Sequence, residues 1–211
     1  MYDLPYYKEN DEQIIRSFIE EHPFAFLTGC DSQGMPVATQ VPVFMEQRDG
    51  QMILSGHIMK NTDHHRAFLH NASVLAVFTG PQSYVSARWY SDPNVPSTWN
   101  YMSVHARGRI RFLDDTGLGA ILQNSSLYFE DNDPQSLTVF ANLAPELKRK
   151  LMKSIVAFEV NVEQLDHVFK LSQDRDAISY RNIIDKLMEQ GEHGRAIAAA
   201  MKKRLDHDAE D

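Results

Sequence analysis

Two clusters of side chains in this chain carry the chemistry of a ligand site. The first runs Ser55-Gly56-His57-Ile58-Met59-Lys60-Asn61-Thr62-Asp63-His64-His65-Arg66. It sets small residues at a strand end ahead of a helix start, with Lys60, His64, His65 and Arg66 close by. The first turn of a helix offers free N–H groups, and neighbouring cations add charge-assisted hydrogen bonds, so the combination suits an anion such as a phosphate. A surface helix with a capping loop has the same composition, and that alternative stands beside the first. His57, His64 and His65 also raise a metal site. Asp63, their carboxylate partner, diverges from its neighbours' side chains, and the expectation is no metal.

The second cluster is Pro96-Ser97-Thr98-Trp99-Asn100-Tyr101, leading into Val104-His105. A loop with two aromatics and an amide can present a flat apolar surface and one directed hydrogen bond, which suits a large planar ring with polar atoms along one edge. The alternative is a lid whose Trp99 and Tyr101 pack in the core. Further along, Arg107, Arg109 and Arg111 recur on one face of a strand. Three cations in a row repel unless anions face them, so acidic residues of a neighbouring strand or subunit, or a phosphate, are expected opposite.

Some chemistry is missing. There is no Gly-x-Gly-x-x-Gly after a strand, no Walker-type phosphate loop, no His-Glu-x-x-His and no Gly-x-Ser-x-Gly, so the common nucleotide-fold and hydrolase signatures give no support. Cys30 is the only cysteine. It forms no internal disulfide and reads as a structural thiol at the end of a buried strand. His105 is the one candidate acid or base, because a histidine can titrate near neutrality.

The elements that position these groups follow from periodicity. The chain has 211 residues, 43% hydrophobic and 24% charged, with a formal net charge of −8. An acidic balance disfavours direct binding to nucleic acid, and the short basic runs Lys148-Arg149-Lys150 and Lys202-Lys203-Arg204 read as solvated helix faces. No apolar run is long enough to span a membrane and the start lacks a signal peptide's pattern, so a cytoplasmic protein is expected.

Asn10 reads as an N-cap before an amphipathic helix carrying Ile14, Ile15, Phe18 and Ile19. The period then changes to that of strands, with turns at Asp31-Gly34 and Arg48-Gly50. Gln51 to Gly56 is a strand, Asn61 to Leu69 a short helix, and Ser73 to Thr79 a strand closed by Gly80-Pro81. Tyr84 to Tyr90, Tyr101 to Leu113, Ile155 to Val160 and His167 to Leu171 follow as strands. Helices are expected around Leu118, over 144–154, and as a pair across 177–205 broken near Gly191 and Gly194, with a frayed acidic end at 206–211. About seven strands with hairpin turns predict an α+β fold built on an antiparallel barrel with peripheral helices, which closes off sheet edges.

These clusters, in this order, resemble the PaiB family of FMN-binding split-barrel proteins, described as negative transcriptional regulators. The matching pieces are Met1-Tyr2 with Pro5, Gly56-His57, Phe78-Thr79-Gly80-Pro81 with Tyr84-Val85-Ser86, Trp99-Asn100-Tyr101 with Val104-His105, and Lys170-Leu171-Ser172-Gln173. The resemblance implies an antiparallel split β-barrel, related to pyridoxamine-phosphate oxidases and flavin reductases, that dimerises and binds FMN in clefts between subunits. It places Ser55, His57, Lys60, Asn61 and His64 around the phosphate and ribityl chain. Trp99, Asn100 and His105 fall at the ring pocket, with Lys170 and Gln173 bordering the same cleft. Residues 1–175 are expected to form the barrel domain and 176–211 a helical extension.

The chain departs from the family pattern in three places. Ser97 lengthens the loop before Trp99 by one residue, Asp174 stands where Asn is common, and Lys60 to His65 diverges from the usual Ala-Asn-Pro run. The functional expectation is an FMN-dependent oxidoreductase of the flavin-reductase kind, drawing electrons from NADH or NADPH as a homodimer. A regulatory flavoprotein acting through a partner is the alternative, with Ile183, Ile184 and Leu187 either a partner surface or packed on the barrel. Haem or vitamin B6 ligands are the third possibility on a barrel of this type.

Overall fold

Asp11, rather than the expected Asn10, caps the first helix, α1 (Glu12–Glu21). Its carboxylate accepts from the Gln13 amide at 2.7 Å, and its carbonyl receives the Ile15 amide. Asn10 gives its own amide to Glu9 instead. Ile15, Phe18 and Ile19 turn inward from this helix. The computed structural model describes residues 1–207; the remainder of the expected acidic tail, from 208 on, lies outside the described residues. The chain groups into two compact units. One holds Ile19–Phe78 and His105–Leu165, the other Met1–Phe18, Thr79–Val104 and the chain from Asp166 onward. We call them the barrel unit and the helix-pair unit.

Six strands close on themselves in the order β1-β2-β3-β6-β5-β4. They are β1 (Phe24–Cys30), β2 (Pro36–Arg48), β3 (Gln51–Met59), β4 (Ser73–Val85), β5 (Thr98–Phe112) and β6 (Ile155–Lys170). β1 runs antiparallel to β2 and β4, and β3 runs antiparallel to β2 and β6. The β2–β3 hairpin turns on Asp49 and Gly50, both at positive φ (52° and 79°), the backbone that an Asp-Gly pair supplies in a two-residue hairpin loop. Leu27, Val43, Leu54, Phe78, Phe158 and Val160 are almost wholly buried in the barrel unit, each contributing about 1.5–3 kcal/mol of burial.

The strand count is lower than periodicity suggests, because two expected breaks are continuous. Gly80-Pro81 does not end β4. The buried positions Val74, Ala76 and Phe78 give way to Ser83 and Val85, so the alternation changes phase and the strand goes on. Likewise β6 runs through Asn161–Asp166, where polar residues face outward and hide the repeat. β3 continues to Met59, which makes Gly56-His57 mid-strand rather than a strand end. Cys30 is the last residue of β1 and only half-buried.

Helix α2 (Asp63–His70) follows β3, and α3 (Asp115–Phe129) begins at Asp114, whose carboxylate accepts from the Gly117 amide at 2.9 Å. Helix α4 (Pro145–Ser154) leads into β6. In the helix-pair unit, α5 (Ala177–Met188) and α6 (Glu192–His207) bury Ile183, Ile184, Leu187, Ile197 and Met201 with Val85, Tyr90 and Leu171. Those α5 side chains are therefore core and form no outer surface. Among the described residues, no helix is long and apolar enough to cross a membrane.

Candidate functional site

The barrel unit carries the first cluster on β3, the turn after it, and the start of α2. Ser55 stands opposite Phe44 of β2 and Glu159 of β6. It is largely buried and lines a cavity of about 330 Å³ with Phe44, Ile121, Asn124, Leu127 and Tyr128. His57, two residues on, is half-buried, and burial pushes its imidazole pKa down.

The turn itself is held by its own groups. The Lys60 ammonium donates to the Met152 carbonyl at 3.3 Å. Asn61 has φ 65°, and its amide donates to His65 Nδ1 at 3.1 Å. Thr62 caps α2, its hydroxyl accepting from the His65 amide and donating to the Met59 carbonyl. Asp63 accepts from the His64 amide at 2.8 Å and lies 3.0 Å from His64 Nδ1; the amide bond holds its carboxyl below the usual range.

The α2 N-terminus thus satisfies amides 64 and 65 with side chains of its own. The charge that can attract an anion lies instead in Lys60 and Arg66. Each is hydrogen-bonded to a neutral carbonyl, Arg66 to that of Asn61, which leaves its positive charge uncancelled.

β5 carries His105, half-buried, on the same face as Arg107, Arg109 and Arg111. Of this ladder, Arg111 meets an anion, Glu159, which also accepts from Arg48 at 2.9 Å, while Arg109 donates to the Ser73 hydroxyl at 3.5 Å. The bonds to Glu159, Arg48 first, hold its carboxyl down. Sequence reasoning named the arginines but missed Glu159. The available signal was one carboxylate at the centre of the apolar run Ile155–Val162.

The second cluster belongs to the helix-pair unit. Trp99 and Asn100 are consecutive in β5, so they point to opposite faces. Trp99 is 55% exposed and meets Tyr84 edge-on, with ring centroids 5.9 Å apart. Asn100 is fully buried, accepting from the Ser172 hydroxyl at 3.0 Å and donating to Met201 Sδ at 3.6 Å.

Lys170 is buried and reaches back to the same strand. Its ammonium donates to the Thr98 hydroxyl and to the Trp99 carbonyl at 2.9 Å, with the Tyr7 ring centroid 5.8 Å away, and burial lowers its pKa. Gln173 closes a local turn, accepting from the Leu171 amide at 2.7 Å and donating to the Phe169 carbonyl. The structure therefore brings Thr98–Asn100 and Lys170–Gln173 together. Ser55, His57, Lys60, Asn61, His64 and His105 belong to the barrel unit. Thr98, Tyr7 and Ser172 were not visible as partners, because only the tertiary pairing supplies them.

A pH dependence follows from His57 and His65, both pushed down by burial. Their unfolded forms bind protons more readily, so the stability they contribute is complete above about pH 6.5 and is lost as pH falls through their lower folded values. The melting temperature is expected to drop between about pH 7.5 and about pH 5.5, and His57→Gln to shrink that drop. An identical drop in the variant would show that His57 takes no part.

Residues 1–164 match a family model described as "Putative FMN-binding domain". The chain is 32% identical over 206 residues to the Bacillus subtilis protein named protease synthase and sporulation protein PAI 2, covering 97% of this chain and 98% of the relative. Among solved structures, the flavocytochrome Anf3 of Azotobacter vinelandii superposes with a TM-score of 0.57 at 18% identity, over 80% of this chain and 72% of that one. The FAD and heme binding protein of Mycobacterium smegmatis gives 0.55 at 17% identity, over 82% and 78%.

Proposed function

The chain belongs to the FMN-binding domain family, of the PaiB type, and on that premise we propose that it is an FMN-binding split-barrel flavoprotein working as a homodimer in the cytoplasm. The observation that carries this is a family match spanning almost the whole barrel. The residues present fit the cofactor. Lys60 and Arg66 keep uncancelled charge for a phosphate, and Trp99 offers an exposed aromatic face to a flat ring.

We assign Ser55, His57, Lys60, Asn61 and His64 to the phosphate and ribityl chain, and Trp99, His105, Lys170 and Gln173 to the ring side, following the family pattern of a cleft between the two subunits of a dimer. When bound, the flavin supplies two-electron chemistry; the protein binds, orients and shields it. The reading is an oxidoreductase of the flavin-reductase kind with NADH or NADPH as donor. The sporulation name of the Bacillus relative supports a second reading, a regulatory flavoprotein without turnover.

Titration of FMN into the purified protein tests the binding. Its fluorescence is expected to be quenched with saturation, and Trp99→Ala and Lys60→Met each to weaken binding about tenfold, the worth of one stacked ring or one charge-assisted contact. A colourless protein that leaves FMN fluorescence unchanged and sediments as a monomer would end the proposal. Consumption of NADH or NADPH by the loaded protein separates the enzyme from the regulator.

A further inference from the structure

A smaller cavity of about 120 Å³ lies in the helix-pair unit, lined by Tyr90, Asp92, Val95, Asp174, Arg175, Asp176 and Ser179. Two buried polar atoms of its lining residues have no hydrogen-bond partner among the described residues: the Tyr90 hydroxyl and Arg175 Nε. Tyr90 is only 7% exposed. The Arg175 guanidinium lies over its ring, 4.8 Å from the centroid. Buried polar groups are nearly always paired, so two orphans in the lining of one small cavity point to an occupant.

The chemistry of the wall narrows what that occupant is. An Arg Nε–H can only donate, whereas a tyrosine hydroxyl can donate or accept. Burial raises the Tyr90 phenol pKa and keeps the O–H intact. The Arg175 charge is already matched by Asp174 at 3.2 Å. Asp176, held down to about 2 by the Ser179 hydroxyl and amide, spends its oxygens on Ser91, Ser179 and the start of α5. Asp92 accepts from the Asn94 amide. One cation against the carboxylates of Asp92, Asp174 and Asp176 leaves the wall at −2, which repels an anion and favours a cation.

We propose that this cavity binds a small primary amine carrying a neutral oxygen acceptor, of the amino-amide or amino-alcohol class. The oxygen accepts from Arg175 Nε–H and the Tyr90 hydroxyl, and the ammonium faces Asp92 and Asp174. The proposal is independent of the flavin reading.

Glycinamide and ethanolamine, titrated calorimetrically into the purified protein with acetate and glycine as comparators, provide the test. Saturable binding of the two amines is expected, with acetate and glycine weaker. Asp174→Asn should reduce amine affinity about tenfold, as the loss of one facing charge does. Tyr90→Phe should reduce it about as much while leaving the melting temperature unchanged or raised, since it removes an unpaired buried hydroxyl. No saturable amine binding, acetate or glycine binding as tightly, or affinities indifferent to both substitutions would overturn the proposal and leave a water-filled void.

Discussion

Gly108→Ala is expected to be the most damaging single-methyl substitution in the barrel. A Cβ at this point of β5 would lie 2.0 Å from the Asn161 carbonyl oxygen of β6, 2.8 Å from its carbon and 3.0 Å from Val160 Cγ1. The first two are backbone atoms, so no side chain can swing aside. The strands must part and lose ladder hydrogen bonds. Overpacking ordinarily costs about 1–3 kcal/mol, and a backbone obstacle puts this case at about 3 kcal/mol or more. In a chain of this size that lowers the melting temperature by roughly 6–12 °C. Gly119→Ala in α3 makes the matched control, because nothing lies within 4 Å of the added carbon. A helical position with open space gains up to about 1 kcal/mol from alanine. Equal melting temperatures for the two variants would show that β5 and β6 do not approach as closely at Gly108 as described.

The second large effect is expected at Asn100→Ala. The side chain is fully buried, and both ends of its amide are used inside the helix-pair unit. Truncation leaves the Ser172 hydroxyl, itself 2% exposed, without its acceptor and opens a void. The unpaired group and the void together give a loss of about 3 kcal/mol, measured by urea unfolding. The same variant sorts the ring contacts. With its amide turned inward, the folded fraction should bind FMN within about twofold of the parent, whereas Trp99→Ala should lose about tenfold with stability unchanged. A folded Asn100→Ala protein that loses FMN as severely as Trp99→Ala would return the amide to the ring pocket and contradict its inward commitment.

The two variants also show why the Trp99-Asn100 pair is easy to misread. Side by side in sequence, an aromatic and an amide suggest one surface with one directed hydrogen bond. In a loop they could share it. In β5 the two-residue pleat sends them to opposite faces, and their partners, Lys170 for Trp99 and Ser172 for Asn100, lie 71 and 72 positions away.

What the sequence by itself determined is what a few neighbouring residues decide among themselves. The amphipathic face of α1, the Asp49-Gly50 hairpin, the break between α5 and α6, the alternation along β5 and the ordered pieces that mark the family all lie within short windows. Only the tertiary structure decided that β4 passes through Gly80-Pro81 and β6 through its polar middle, because a strand persists where partners supply its hydrogen bonds, whatever its own pattern. It alone placed Glu159 between Arg48 and Arg111 and tied Lys170 to Thr98 and Trp99. Those contacts join residues far apart in the chain, and neither partner's local sequence records them.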